Sequence, residues 1–113
     1  MKQRSSHLFT RSVQIGVGHD ENTGGISFPI YPSATYRHPG VGQSTGYDYI
    51  RSGNPTREVL EDALAELEGG TQGLVFSSGM AALTTLLLHF ASGDHLLVSE
   101  DLYGGTYRLL EQV

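Results

Sequence analysis

Gly73-Leu74-Val75-Phe76-Ser77-Ser78-Gly79-Met80-Ala81-Ala82-Leu83-Thr84-Thr85-Leu86-Leu87-Leu88-His89-Phe90-Ala91-Ser92-Gly93-Asp94-His95-Leu96-Leu97-Val98 is the stretch that decides the fold class. Its first four residues are a short apolar run that reads as a buried strand, broken by Ser77-Ser78-Gly79. From Met80 to Phe90 the residues are helix-compatible and apolar almost all round, which predicts a deeply buried helix. Ser92-Gly93-Asp94 ends that helix, and His95 to Val98 reads as a second strand. A strand–helix–strand unit of this length implies a right-handed crossover and parallel pairing. The expected class is α/β.

Working outward, the segment before it holds the clearest helix. Asn54 is a favoured N-cap, and Pro55 suits the first helical position, where its missing N–H costs nothing. Val59, Leu60, Ala63, Leu64 and Leu67 recur at helical spacing, acidic residues fill the other face, and Gly69-Gly70 supplies the stop. Downstream, Asp101-Leu102-Tyr103-Gly104-Gly105 reads as a loop and Thr106 to Val113 as a helix. Residues 1–53 show no sustained period. Gly16 to Gly25 is turn material, and Pro29, Pro32 and Pro39 hold the residues before them extended. Tyr31, Tyr36, Tyr47 and Tyr49 give this arm aromatic surface without a core, suited either to another subunit or to its own domain.

Composition narrows the function. The 113 residues carry 7 Lys plus Arg against 12 Asp plus Glu, a formal net charge of −5, which argues against nucleic-acid binding through a basic face. There is no Cys, which excludes a disulfide framework, a thiolate metal site and a thiol nucleophile. The N-terminal residues lack the apolar core of a secretory signal. The longest mainly apolar stretch, Met80 to Ala91, falls well short of the ~20 residues that span a bilayer. A cytoplasmic chain, with no membrane and no nucleic-acid partner, is the expectation. Lys occurs once, at Lys2.

Three local patterns bear on chemistry. Ser77-Ser78-Gly79-Met80 stands where a strand meets a helix, and the first N–H groups of a helix attract anions such as phosphate. The same residues also make an ordinary capped helix start. Arg51, two residues after Tyr49, offers a fork of donors suited to phosphate, or to a nearby carboxylate such as Asp48. Tyr103 follows a strand end, where open α/β sheets bind ligands, or else anchors the next helix. Neither the Walker nor the dinucleotide glycine fingerprint is present, and the five His residues lack metal spacing.

Tyr49-Ile50-Arg51-Ser52-Gly53-Asn54-Pro55-Thr56-Arg57, Phe76-Ser77-Ser78-Gly79-Met80-Ala81-Ala82 and Asp101-Leu102-Tyr103-Gly104-Gly105-Thr106-Tyr107-Arg108 together resemble the pyridoxal-phosphate enzymes of methionine and cysteine metabolism. Cystathionine γ-synthases, γ-lyases and β-lyases belong to that family. The resemblance runs over residues 12–113. It implies the N-terminal part of a type I pyridoxal-phosphate fold, with residues 1–53 as an arm for inter-subunit contacts and 54–113 as the beginning of the large cofactor domain. It implies pyridoxal phosphate as cofactor, its phosphate held by Gly79 and Met80 with Ser77 or Ser78 nearby. Tyr49 and Arg51 would reach that phosphate from the neighbouring subunit of a dimer of dimers.

By the same resemblance Tyr103 stacks on the pyridine ring and assists proton transfer, as the catalytic residue of this segment, and Arg108 lies near the substrate. Small amino acids are the substrates it implies, with γ-replacement on an O-acylhomoserine by cysteine as the reaction and cystathionine cleavage as the alternative. Methionine γ-lyases typically carry Cys where this chain has Gly105, which argues against that branch. The family's Schiff-base Lys and pyridine-binding Asp lie beyond the matched region, so the 113 residues alone are expected to be inert. A non-catalytic phosphate-binding domain is the rival expectation from another class.

Overall fold

Two helices of this chain start from side chains that cap them, Asn54 and Ser78. In the computed structural model, which describes residues 7–17 and 20–112, four helices occur: α1 Leu8–Gln14, α2 Pro55–Glu68, α3 Gly79–Leu87 and α4 Gly104–Gln112. Lys2, Gly18, His19 and Val113, on which parts of the sequence reading fall, lie outside the described residues. Two compact units divide between Leu74 and Val75.

The first unit is built around the start of α2. Asn54 is its cap, with an extended backbone and an Oδ1 that accepts from the Thr56 and Arg57 N–H groups at 2.9 and 3.3 Å. Its Nδ2 donates to the Tyr31 carbonyl at 3.0 Å and to the Tyr36 hydroxyl at 3.2 Å. The Thr56 hydroxyl accepts from the Tyr31 N–H at 2.8 Å. Thus the arm is tied to the helix it precedes. Pro55 occupies the first turn as expected, and Gly69 closes α2 in the left-handed conformation at φ 68°.

α1 was not foreseen in the arm. Seven residues are too few to signal a period, and the helix is held from far along the chain. Arg11 donates from Nη2 to the Glu66 carbonyl at 2.6 Å and pairs with the Glu66 carboxylate at 3.1 Å. A cation there also complements the C-terminal end of α2. Just beyond α1, a Cβ on Gly16 would sit 2.8 Å from the Val59 side chain, so the close approach to α2 needs glycine.

In the second unit Ser78 caps α3, accepting from the Ala81 N–H at 3.1 Å. The helix stops at Leu87 rather than Phe90. The last turn tightens, with His89 and Phe90 N–H donating to the Leu86 and Leu87 carbonyls. α4 begins at Gly104, so the two glycines expected in a loop form its first turn. Three expectations fail. α3 has no buried residue, and Leu86 is 58% exposed. Neither 73–76 nor 95–98 forms a strand among the described residues, and no parallel pair joins them. Parallel ladders persist inside sheets covered on both faces. Here Leu74 and Leu97 are 62% and 95% exposed, so the burial that would fix the ladder is absent.

Replacing Asn54, itself only 5% exposed, removes the cap and leaves the Tyr31 carbonyl without its donor. Asn54→Ala should cost about 1–2 kcal/mol for the cap alone. Urea unfolding of the variant checks it, and an unchanged midpoint would contradict this account of α2.

Candidate functional site

The Tyr49–Gly53 turn is fixed on several sides. Thr35 and Tyr49 form an isolated antiparallel bridge, and the Ile50 N–H donates to the Ala34 carbonyl at 2.9 Å. The Tyr49 carbonyl accepts from the Ser52 and Gly53 N–H groups, both at 3.0 Å, and from the Ser52 hydroxyl at 2.8 Å. Arg51 does not pair with Asp48. Its guanidinium carbon lies over the Tyr49 ring, 5.1 Å from the centroid, a cation–π arrangement. Asp48 is already engaged by the Ser44 hydroxyl at 2.7 Å and by His38 Nε2 at 3.5 Å. Among the described residues no carboxylate forms an ion pair with Arg51.

Behind the turn, Tyr47 stacks obliquely on Tyr36 with ring centroids 5.5 Å apart, and its hydroxyl donates to the Glu58 carboxylate. That hydrogen bond to an anion, with partial burial added, pushes the Tyr47 hydroxyl up to about 12. Reading residue types alone missed this contact. A Tyr four residues before Arg51 and an acid in the first turn of α2 were visible, but not their meeting.

In the second unit the start of α3 leaves the Gly79 and Met80 N–H groups without helical partners, since Ser78 takes the Ala81 and Ala82 N–H groups. A Cβ on Gly79 would meet nothing within 4 Å, so the side-chain position at this helix start is open. Ser78, not Ser77, is the capping hydroxyl. Met80 also joins the two helix starts, its sulfur accepting from the Thr106 hydroxyl at 3.6 Å. Tyr103 stands immediately before α4 and is 73% exposed, its carbonyl accepting from the Thr106 and Tyr107 N–H groups. A Cβ on Gly105 would come within 2.8 Å of the Tyr103 ring and 3.1 Å of the Met80 sulfur. Arg108 is exposed on α4. Met80, Tyr103 and Gly105 are therefore brought together, while Tyr49 and Arg51 form a separate pair on the first unit.

Residues 9–113 match the family model of Cys/Met metabolism PLP-dependent enzymes. The chain belongs to that family. Pyridoxal phosphate is the family's cofactor. The chain is 60% identical over 107 residues to a cystathionine γ-synthase/O-acetylhomoserine (thiol)-lyase of Bacillus subtilis, covering 95% of this chain and 29% of that protein. It is 48% identical to a cystathionine β-lyase of Lactococcus lactis, covering 92% and 27% respectively. A crystal structure of cystathionine γ-synthase from Xanthomonas oryzae, in complex with aminoacrylate and cysteine, superposes with a TM-score of 0.86 at 42% identity. That match covers 96% of this chain and 28% of the other. The fold is thus the N-terminal part of a type I pyridoxal-phosphate enzyme, and the chain spans under a third of the relatives it matches.

The residues present fit such a cofactor. N–H donors without helical partners, beside a glycine whose side-chain position is open, suit a phosphate, and Tyr103 presents a largely exposed ring. Among the described residues no group of His, Cys, Asp or Glu is placed to hold a metal ion, and no helix is long and apolar enough to cross a membrane.

The Tyr47 pair has a definite pH signature. The folded state holds the neutral phenol, with its pKa raised above the usual value near 10. Its stabilisation is complete below pH ~10 and is lost as pH rises towards 12. The stability gap between the natural protein and Tyr47→Phe should therefore narrow from pH 10 to 12 in urea titrations. A constant gap would show that the hydroxyl does not donate to Glu58.

Proposed function

We propose that this chain is the N-terminal part of a cytoplasmic enzyme that joins cysteine to an O-acylhomoserine by γ-replacement, giving cystathionine. The observation that carries this reading is the Arg51–Tyr49 pair. It is a guanidinium with no carboxylate among the described residues, held on an aromatic ring in a family whose cofactor is a phosphate ester. The 60% identity to a γ-synthase/thiol-lyase supports the synthase branch over the lyases. Cystathionine cleavage is the second reading, favoured by the 48% identity to a β-lyase. Gly105 speaks against the methionine γ-lyase branch, whose members typically carry Cys at this position, and the crowding of Tyr103 and Met80 around it leaves little room for that side chain.

In this proposal Gly79 and Met80 give their N–H groups to the phosphate, with the Ser77–Ser78 hydroxyls beside it. Arg51 supplies charge-assisted hydrogen bonds and Tyr49 a neutral one, both to the neighbouring subunit's phosphate within a dimer of dimers. Residues 1–53 act as the inter-subunit arm, and 54–113 begin the cofactor domain. Tyr103 covers the cofactor ring, and its hydroxyl holds or moves a proton near the substrate. Arg108 faces the anionic end of the substrate. Bound there, pyridoxal phosphate supplies the electron sink for charge developing on the amino-acid carbon.

Full-length protein given O-acetylhomoserine or O-succinylhomoserine with cysteine should form cystathionine faster than it cleaves it. Preferential cleavage would assign the lyase reading. Turnover of neither would favour a non-catalytic phosphate-binding domain. Arg51→Ala should raise the cofactor Kd roughly ten- to a hundredfold, the range of a hydrogen bond to a charged group, and Tyr49→Phe should raise it less. If the site is shared, mixing Arg51→Ala protein with a Gly79→Val protein should restore activity after subunit exchange, because one hybrid site is intact.

A further inference from the structure

We infer that Arg57 is a positioning residue that presets the turn carrying Tyr49 and Arg51, a role that rests on the phosphate reading above. Arg57 stands in the first turn of α2, the positive end of the helix dipole, where a cation is disfavoured. Its surroundings offset that cost. Nη1 donates to the Ile50 carbonyl at 3.3 Å and, more weakly, to that of Arg51 at 3.5 Å. Nη2 donates to the Ser52 carbonyl at 3.1 Å. Nε lies 3.4 Å from the Glu61 carboxylate, one helical turn on. Three consecutive carbonyls thus converge on one rigid guanidinium, which only Arg offers in a planar fork.

That geometry acts on Arg51 through its backbone. The clamp orders residues 50–52 against α2 before any anion arrives, so binding need not bear the entropy of ordering the turn. Glu61 faces Arg57, and Arg51 is left with its guanidinium over Tyr49. Arg57 reaches carbonyls, not the site; it touches no ligand itself. Its removal should therefore affect only the part of cofactor binding that goes through Arg51.

The test is a cycle of variants in the full-length protein, with affinities for pyridoxal phosphate and for pyridoxal, which lacks the phosphate, read by absorbance titration of the apoprotein. Arg57→Met should weaken pyridoxal phosphate about tenfold and pyridoxal less than about twofold. In an Arg51→Ala background, Arg57→Met should add less than about twofold, since the group it positions is gone. Arg57→Lys keeps the charge and the Glu61 pair but not the fork. It should show the same phosphate-selective loss to a smaller degree, and it carries the test if Arg57→Met does not fold. Equal loss of both ligands, or full additivity with Arg51→Ala, would overturn the inference. Unchanged pyridoxal phosphate affinity in Arg51→Ala alone would instead overturn the phosphate reading itself, and the role of Arg57 with it.

Discussion

The Asn54 carboxamide uses its whole hydrogen-bonding capacity, two acceptor sites for the start of α2 and two donors for the arm. That saturation is what lets one side chain sit buried in a unit with no buried hydrophobic residue among those described. The arm carries little apolar burial of its own, so its course over Tyr31 and Tyr36 is set by polar ties to a helix end. The Tyr49–Gly53 turn then inherits its place. It enters through the bridge to Thr35 and leaves into Asn54, with Arg57 three residues further on.

Acidic groups around the turn are already engaged, and this decides what Arg51 can do. Glu58 accepts from Tyr47, Glu61 faces Arg57, Glu66 holds Arg11, and Asp48 takes Ser44 and His38. A chain with a net charge of −5 would ordinarily offer a surface Arg an easy internal partner. Distributing those carboxylates to other donors leaves the Arg51 guanidinium, like those of Arg37 and Arg108, without an ion pair among the described residues. The pairs themselves are mostly half-exposed and contribute little stability individually. Their effect is to keep the carboxylates nearest the turn away from Arg51.

What was legible in the sequence followed from local rules. Asn54-Pro55 and Gly69 bounded α2 within a residue, and Ser78 and Gly79 marked the start of α3, because caps act over three or four positions. The nearness of Tyr49 and Arg51 followed from their two-residue spacing, whereas the guanidinium lying over the ring, in place of a pair with Asp48, was not read from the sequence. Nor was the Arg57 clamp, although an Arg at the wrong end of a helix with Glu61 four residues on was a usable signal. α1 was illegible for a stronger reason, since its tie to Glu66 spans 55 residues of sequence. The strands at 73–76 and 95–98 were read from apolar runs, and such runs report a demand for burial rather than its fulfilment. With Leu97 almost wholly exposed, that demand is unmet by the residues described.

Gly105 shows how a small residue can restrict chemistry as well as backbone. Its position in the first turn of α4 needs no unusual φ, so conformational freedom does not explain it. Space does. Tyr103 folds back over the start of α4 on one side and the Met80 sulfur closes from the other, leaving no ordinary van der Waals room for a Cβ. Any larger residue at 105 would swing the Tyr103 ring or push Met80, and Met80 is also bound by Thr106 at the start of the same helix. The ring's orientation, the spacing of the two helix starts and the lack of a side chain at 105 are thus one coupled arrangement. A Cys at 105 in this chain would therefore have to displace the Tyr103 ring or the Met80 sulfur, and with them the packing between the two helix starts.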